Sequence, residues 1–292
     1  MICKIRFPLT LMKILVTGAA GSVGQIITNH LCKAGHQMIP VDFIEPEKII
    51  FADLRDEKVV FQLFDQYNPD LVIHLAAIKN IQFCEQNKEL SHITNFGVTK
   101  LITEICQEYK ARMIYFSTDY VFGKYDQFWQ ERDQPCPTTQ YGKDKVASEL
   151  FIQNKLRNHS IIRTAQLYGI KNDFITLICN TLNCGNKLKA FTNLVNCPTW
   201  INDLLVMLDR IINQSQHGTF HCVGPEALSR YDFAIKIATK LGLDTAYIEP
   251  VALDFSVDIR PSIVRLNGEK TYQTLGFYPK TLTENLSKTT MK

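Results

Sequence analysis

The sequence predicts an α/β chain: a parallel sheet wound by helices on both faces, followed by a smaller α/β lobe towards the C-terminus. Three observations carry this. Short, continuously apolar runs recur through the first half, with helically spaced runs between them. The first apolar run leads straight into a glycine-rich turn and then a helix. From about residue 166 onward the elements become short and turn-rich. Strands without polar alternation suit a parallel sheet covered on both sides, with right-handed crossovers.

Residues 13–17, Lys13-Ile14-Leu15-Val16-Thr17, read as a short buried strand. They run into Gly18-Ala19-Ala20-Gly21-Ser22-Val23-Gly24, and a helix is expected over about 22–34. Strand, glycine turn and helix in this order hold a dinucleotide. Gly18 permits the tight turn, Gly21 lets the backbone approach a pyrophosphate, and Gly24 lets the first helical turn pack on the strand. Amides of Ala20, Ser22 and Val23 then face the phosphates, where the macrodipole favours negative charge. The spacing is G-x-x-G-x-x-G rather than G-x-G-x-x-G.

A second strand over 37–41 ends at Asp42, 24 residues after Gly18. An acid there accepts ribose hydroxyls and repels a 2′-phosphate. Phe43, Ile44 and Glu45 follow it with no arginine, which favours NAD over NADP, although use of either NAD(H) or NADP(H) stays open. Further strands are expected at about 48–52, 71–76, 111–117 and 160–164, and helices at about 56–67, 89–109 and 140–157. His74 sits mid-strand and is expected in the core. The stretch 123–137, with Pro135 and Pro137, is either a loop that closes over substrate or a plain connection. Later helical patterns lie near 173–183, 201–214, 229–240 and 281–288. The expected organisation is an extension over 1–12, a dinucleotide-binding domain over 13–165, and a mainly substrate-binding lobe over 166–292 with some segments returning to the sheet.

Tyr141-Gly142-Lys143-Asp144-Lys145 carries the chemistry. Positions four apart share a helical face, so the Lys145 ammonium is expected beside the Tyr141 phenol. A free phenol has a pKa of roughly 10, and a neighbouring cation lowers it. The pair therefore suits a general acid/base poised near working pH.

Composition excludes several classes. The net charge is only +3, and no basic run is dense enough for nucleic acid. No apolar stretch reaches 18 residues, so no membrane helix is expected. Residues 1–12 carry charges inside their apolar run and lack a small-residue cleavage site, which argues against a signal peptide. Nine scattered cysteines without a C-x-x-C pair read as reduced thiols of a cytoplasmic protein. Cys179 and Cys184 have no base beside them, and the seven histidines form no metal motif, so no metal is expected.

Taken together, the glycine turn, Asp42, Tyr141 and Lys145 resemble the extended short-chain dehydrogenase/reductase family from about Lys13 to Leu286. That resemblance implies a Rossmann-type doubly wound parallel sheet. It implies an adenine-edge contact at Asp53-Leu54 and a cofactor wall at Leu75-Ala76-Ala77. Asn95, in Thr94-Asn95-Phe96-Gly97-Val98-Thr99, matches the residue that organises the family's proton relay. Ser117 and Thr118 end the fifth strand; Thr118 would bond the reacting oxygen, and Lys145 would also hold the nicotinamide ribose.

Ser117-Thr118-Asp119-Tyr120-Val121-Phe122 is similar to the S-T-D-Y-V-F run of dTDP-4-dehydrorhamnose reductases. The sugar-nucleotide dehydratases carry T-D-E there, and Tyr120 replaces their glutamate. Pro198-Thr199-Trp200-Ile201-Asn202-Asp203-Leu204 and Arg260-Pro261 resemble further reductase segments. Two departures stand out. Gln166 occupies the place of a tryptophan that helps form the reductases' sugar pocket. Ala76-Ala77-Ile78-Lys79-Asn80 resembles a polysaccharide dehydratase branch instead. The implied substrate contacts are Lys79, Thr118, Asp119, Tyr120, Gln166 and Arg260, with Lys187 and Lys189 as further candidates for a nucleotide diphosphate.

The implied activity is NAD(P)H-dependent reduction of a nucleotide-linked 4-keto-6-deoxy sugar. A nucleotide-sugar 4-epimerase and a non-catalytic NADP-binding regulatory subunit are the alternatives. A homodimer across helices 89–109 and 140–157 is the family's usual assembly.

Overall fold

The computed structural model describes residues 11–44 and 47–286. Residues 1–10, which make up most of the expected N-terminal extension, and the end of the 281–288 helical pattern lie outside the described residues.

Seven strands form one parallel sheet in the order Gly218–His221, His159–Thr164, Arg112–Thr118, Leu71–His74, Lys13–Thr17, Gln37–Asp42, Ile50–Phe51. The chain builds outward from Lys13–Thr17 to one edge. It then returns to the centre at Leu71–His74 and builds towards the other edge. Strand order therefore reverses between Lys13–Thr17 and Leu71–His74, which opens a crevice at the carboxyl ends of these strands.

Side chains along each strand alternate between two cores. Ile14 and Val16 join Ile27 and Leu31 of helix Ser22–Lys33 and Leu204, Leu208 and Ile211 of helix Ile201–Asn213. Leu15 and Tyr115 face the other way, onto Phe64, Ile102 and Ile152 of helices Glu57–Tyr67, Val98–Glu108 and Gln140–Lys155. Local signals set the helix ends. Asp56 caps the Glu57 helix by accepting from the Lys58 amide, and Asn68 ends it in the left-handed region at φ 44°. Thr139 caps the Tyr141 helix by accepting from the Gly142 amide at 3.1 Å.

Four expectations are revised. The helix expected over 89–109 is three pieces: Lys88–His92, a π turn over Ile93–Gly97, and Val98–Glu108. The wider turn contains Asn95, which is only 1% exposed. The strand expected over 71–76 stops at His74, because the Leu75 and Ala76 amides donate to the Thr17 hydroxyl. The third strand is only Ile50–Phe51. The 123–137 stretch is fastened rather than free: Phe128–Trp129 pairs with Arg265–Leu266, and Trp129 stacks on Phe122 at 4.4 Å.

The second half of the chain divides. Strand Gly218–His221 completes the large sheet, and helix Ile201–Asn213 covers one of its faces. A separate core of Tyr168, Ile178, Phe233, Ile237, Ile248 and Leu282 forms the smaller lobe. Among the described residues no helix is long and apolar enough to cross a membrane, and no His/Cys/Asp/Glu group is arranged to hold a metal.

Candidate active site

The crevice is a cavity of about 570 Å³ along the strand ends. At one end the glycine turn forms its floor, with Gly18, Ala20, Gly21, Ser22, Val23 and Gly24 all lining it. Gly18 sits at φ +70°, and a Cβ there would stand 2.8 Å from the Ala76 amide nitrogen. At Gly24 a Cβ would come within 2.2 Å of the Gly18 carbonyl oxygen. Neither position has room for a side chain, so the turn stays pressed against the strand. Asp42 lines the same end and also anchors the turn. Its Oδ2 accepts from the Ala20 amide at 2.9 Å, and its Oδ1 accepts from the Phe43 amide at 2.7 Å.

Asp53 and Leu54 line the cavity as expected, but Arg55 lines it too. Its guanidinium lies 5.5 Å over the Phe43 ring and forms a forked pair with the Asp53 carboxylate. No arginine follows Asp42 in the chain, but one reaches the same end of the cavity from the turn after the third strand. The preference for NAD loses that support and rests on the Asp42 charge alone.

At the other end Leu75, Ala76, Ala77 and Lys79 form one wall, and Ser117, Tyr141 and Lys145 the other. The Ser117 hydroxyl donates to Glu149, which is itself paired with Arg163. Lys145 is 2% exposed. Its Nζ donates to the Phe116 carbonyl at 2.8 Å and lies 4.5 Å from the Tyr115 ring centroid, against 5.8 Å from that of Tyr141. Burial pushes its pKa down to about 8.

The expectation that this amine acidifies the Tyr141 phenol is corrected. Burial raises the phenol's pKa, and the nearby Asp119 carboxyl raises it further. Thr118 is its hydrogen-bond partner and acts the other way. The ammonium is drawn towards Phe116 and Tyr115 instead. Tyr141 is thus a protonated phenol at ordinary pH, a donor rather than a ready base.

Several expected residues stand back from the cavity. The Asn95 side chain does not reach Tyr141 or Lys145. Its amide group exchanges bonds with the Ile78 backbone, accepting from the amide at 2.7 Å and donating to the carbonyl at 3.1 Å. It holds the wall that carries Ala77 and Lys79. Thr118 donates to Asp119 Oδ1 at 3.0 Å and accepts from the Tyr120 amide, next to Tyr141. Asp119 is 4% exposed, and burial pushes its pKa up to about 6. The Tyr120 ring meets that of Tyr141 edge-on at 6.3 Å, and burial pushes its pKa up to about 12. Gln166 is fixed through its backbone carbonyl, which accepts from the Thr199 amide, while its side-chain nitrogen is buried without a partner. Arg260 is held by Asp258 at 2.8 Å. Lys187 is paired with Glu249 on the smaller lobe, beside the strand that carries Lys189, and neither lines the cavity.

The profile of the RmlD substrate binding domain family matches residues 12–292. The chain belongs to this family. It is 30% identical over 251 residues to the Probable low-salt glycan biosynthesis reductase Agl14 of Haloferax volcanii, covering 82% of this chain and 83% of that protein. A dTDP-4-dehydrorhamnose reductase from Clostridium acetobutylicum superposes with TM-score 0.85 at 29% identity, covering 94% of this chain and 97% of the other. A dTDP-4-dehydrorhamnose reductase from Bacillus anthracis, solved in complex with NADP, also gives 0.85, at 25% identity, covering 95% and 98%.

In this RmlD-family chain the residues fit a nicotinamide dinucleotide. The glycine turn is a cradle that a Cβ at Gly18 or Gly24 would fill, and the cavity runs from it to Tyr141 and Lys145. Sequence reasoning missed Arg55, Ile78, Thr94 and Thr164, which also line it. Arg55 follows Asp53-Leu54 directly and was open to the same reasoning. Thr94 and Thr164 gave no signal, since only the π turn and the pairing of Thr118 with Thr164 bring them to the crevice.

Proposed function

We propose that this chain uses NADH or NADPH to reduce the 4-keto group of a nucleotide-linked 4-keto-6-deoxy sugar in surface-polysaccharide or deoxysugar biosynthesis. The observation that carries the reading is the meeting of Tyr141 and Lys145 at the end of a cavity whose other end is the glycine turn, with Thr118 beside Tyr141 just behind the lining. Gly18, Gly21, Gly24 and Asp42 would hold the dinucleotide's adenosine and phosphates, and Lys145 its other ribose. When bound, the dinucleotide supplies the hydride.

Tyr141 holds the proton that the keto oxygen needs. Its raised pKa keeps it in the donor form at neutral pH. Lys145, cationic below about pH 8, stabilises the negative charge left on the phenol. The Thr118 hydroxyl, fixed by Asp119 and the Tyr120 amide, orients the oxygen. Tyr120 replaces the glutamate that dehydration uses, which supports reduction over elimination. Gln166 stands where the reductases carry a tryptophan of their sugar pocket, so the sugar need not be the rhamnose precursor. Eight free thiols among the described residues support a reducing, cytoplasmic setting.

A panel of dTDP-, UDP-, GDP- and CDP-linked 4-keto-6-deoxy sugars, followed by loss of reduced-nicotinamide absorbance, tests the reading. Turnover is expected on at least one sugar, with Tyr141→Phe slower by roughly 100- to 10,000-fold. Turnover unchanged in Tyr141→Phe would remove the phenol from its role. Tightly retained cofactor with no net oxidation would favour the epimerase.

A further inference from the structure

Arg230 begins helix Arg230–Leu241 of the smaller lobe. The chain's two buried arginines among the described residues are bonded to protein acceptors, whereas Arg230 is half-buried. Arg112 donates to the carbonyls of Ile211, Ile212 and Gln216. Arg163 pairs with Glu149 at 2.7 Å. Arg230 has neither arrangement. Among the described residues no carboxylate or carbonyl bonds its guanidinium, which lies 5.2 Å over the Phe174 ring. Loss of solvation pushes its pKa down only to about 10, so it remains a cation at neutral pH.

Asp119, Tyr120 and Arg260 are the charged and titratable groups that face it. Asp119 and Tyr120 also line a narrow cleft with Arg230, Asn196 and Pro261. Arg260 is already balanced by Asp258. Asp119 spends one oxygen on Thr118, and its Oδ2 is buried without a partner. A half-buried guanidinium left unbonded beside an unpartnered carboxylate oxygen is poised to take an acceptor from outside. The cleft is only about 10 Å³, room for a single oxygen, and it adjoins Tyr141 through Tyr120, so what reaches it is the edge of a group bound beside Tyr141, on the substrate side rather than the dinucleotide side.

We infer that Arg230 is a specificity-determining residue that receives an anionic oxygen group of the substrate, either the diphosphate of the nucleotide sugar or a carboxylate on the sugar. Forked N–H donors suit both geometries. The inference rests on the nucleotide-sugar reading and adds a residue to it.

Titration calorimetry on the NADPH-loaded full chain separates the possibilities. The ligands are dTDP, UDP, thymidine and UDP-glucuronate; NADPH binding to the unloaded chain is the control. The proteins are wild type, Arg230→Gln and Arg230→Lys. Arg230→Gln is expected to weaken dTDP and UDP about 10- to 100-fold, with thymidine and NADPH within twofold, and Arg230→Lys to recover part of the loss. A loss confined to UDP-glucuronate would assign the group as a sugar carboxylate. Unchanged affinities for every charged ligand in both variants would overturn the inference. So would an equal loss for NADPH, which would make Arg230 a structural residue. A wild-type chain that binds none of the nucleotides would instead overturn the nucleotide-sugar reading itself.

Discussion

At the residue scale, the chemistry rests on two buried groups that burial moves in opposite directions. The Tyr141 phenol is driven to stay protonated, and the Lys145 ammonium is driven to lose its proton near pH 8. The spacing of the pair was legible in the sequence. Its electrostatics were not, because Asp119 and Phe116 reach it from another part of the chain. The sign of the pH dependence follows. Lys145 carries its charge below about pH 8 and loses it as pH rises through that value. Tyr141 gives no competing limb there, since its raised pKa keeps it a donor. The rate of keto reduction at saturating substrate is therefore expected to be steady from pH 6.5 to 7.5 by order of magnitude, then to fall about tenfold per unit above roughly 8. A pH–rate profile that stays level to about pH 10 would show that the Lys145 charge is not needed.

At the element scale, the strand–turn–helix unit was legible because each of its glycines answers a local steric demand. The structure gives that demand its magnitude: a Cβ at Gly24 would lie 2.2 Å from backbone of its own turn. Gly24→Ala must push the first turn of the helix off the strand, a cost of roughly 1–3 kcal/mol. We expect NADPH affinity to drop at least about tenfold in this variant, with a lower melting temperature, measured by titration and by thermal unfolding. Wild-type affinity in Gly24→Ala would mean the turn does not hold the phosphates. The π turn at Ile93–Gly97 was not legible, since one extra residue per turn leaves the apolar spacing nearly intact. Its effect is to bury Asn95 against Ile78, which makes Asn95 a support for the cavity wall. Arg55 was not legible from Asp42, because it comes from the turn after the third strand and meets that end of the cavity only through the folded sheet.

At the scale of the whole molecule, the doubly wound sheet was legible from alternating strands and helices. The division of the second half was less so. Helix Ile201–Asn213 and strand Gly218–His221 belong to the large sheet, although they lie among segments of the smaller lobe. Periodicity names an element without saying which core it joins. The consequence is a crevice lined by the strand ends and the glycine turn of the large sheet, with Arg230 in a separate cleft beside Asp119 and Tyr120. Pairing of Phe128–Trp129 with Arg265–Leu266 fastens the loop after Thr118 to the late part of the chain. In the proposed reduction, hydride and proton would meet one carbonyl group at the Tyr141 and Lys145 end of this cavity. Transfer of deuterium from 4-deuterated NADPH to a nucleotide-linked 4-keto sugar, read by mass spectrometry after a single turnover, tests this most directly. One deuterium on the former carbonyl carbon with the wild-type chain, and almost none with Tyr141→Phe, is the predicted result; NADPH bound tightly with no deuterium passed to any sugar would contradict it.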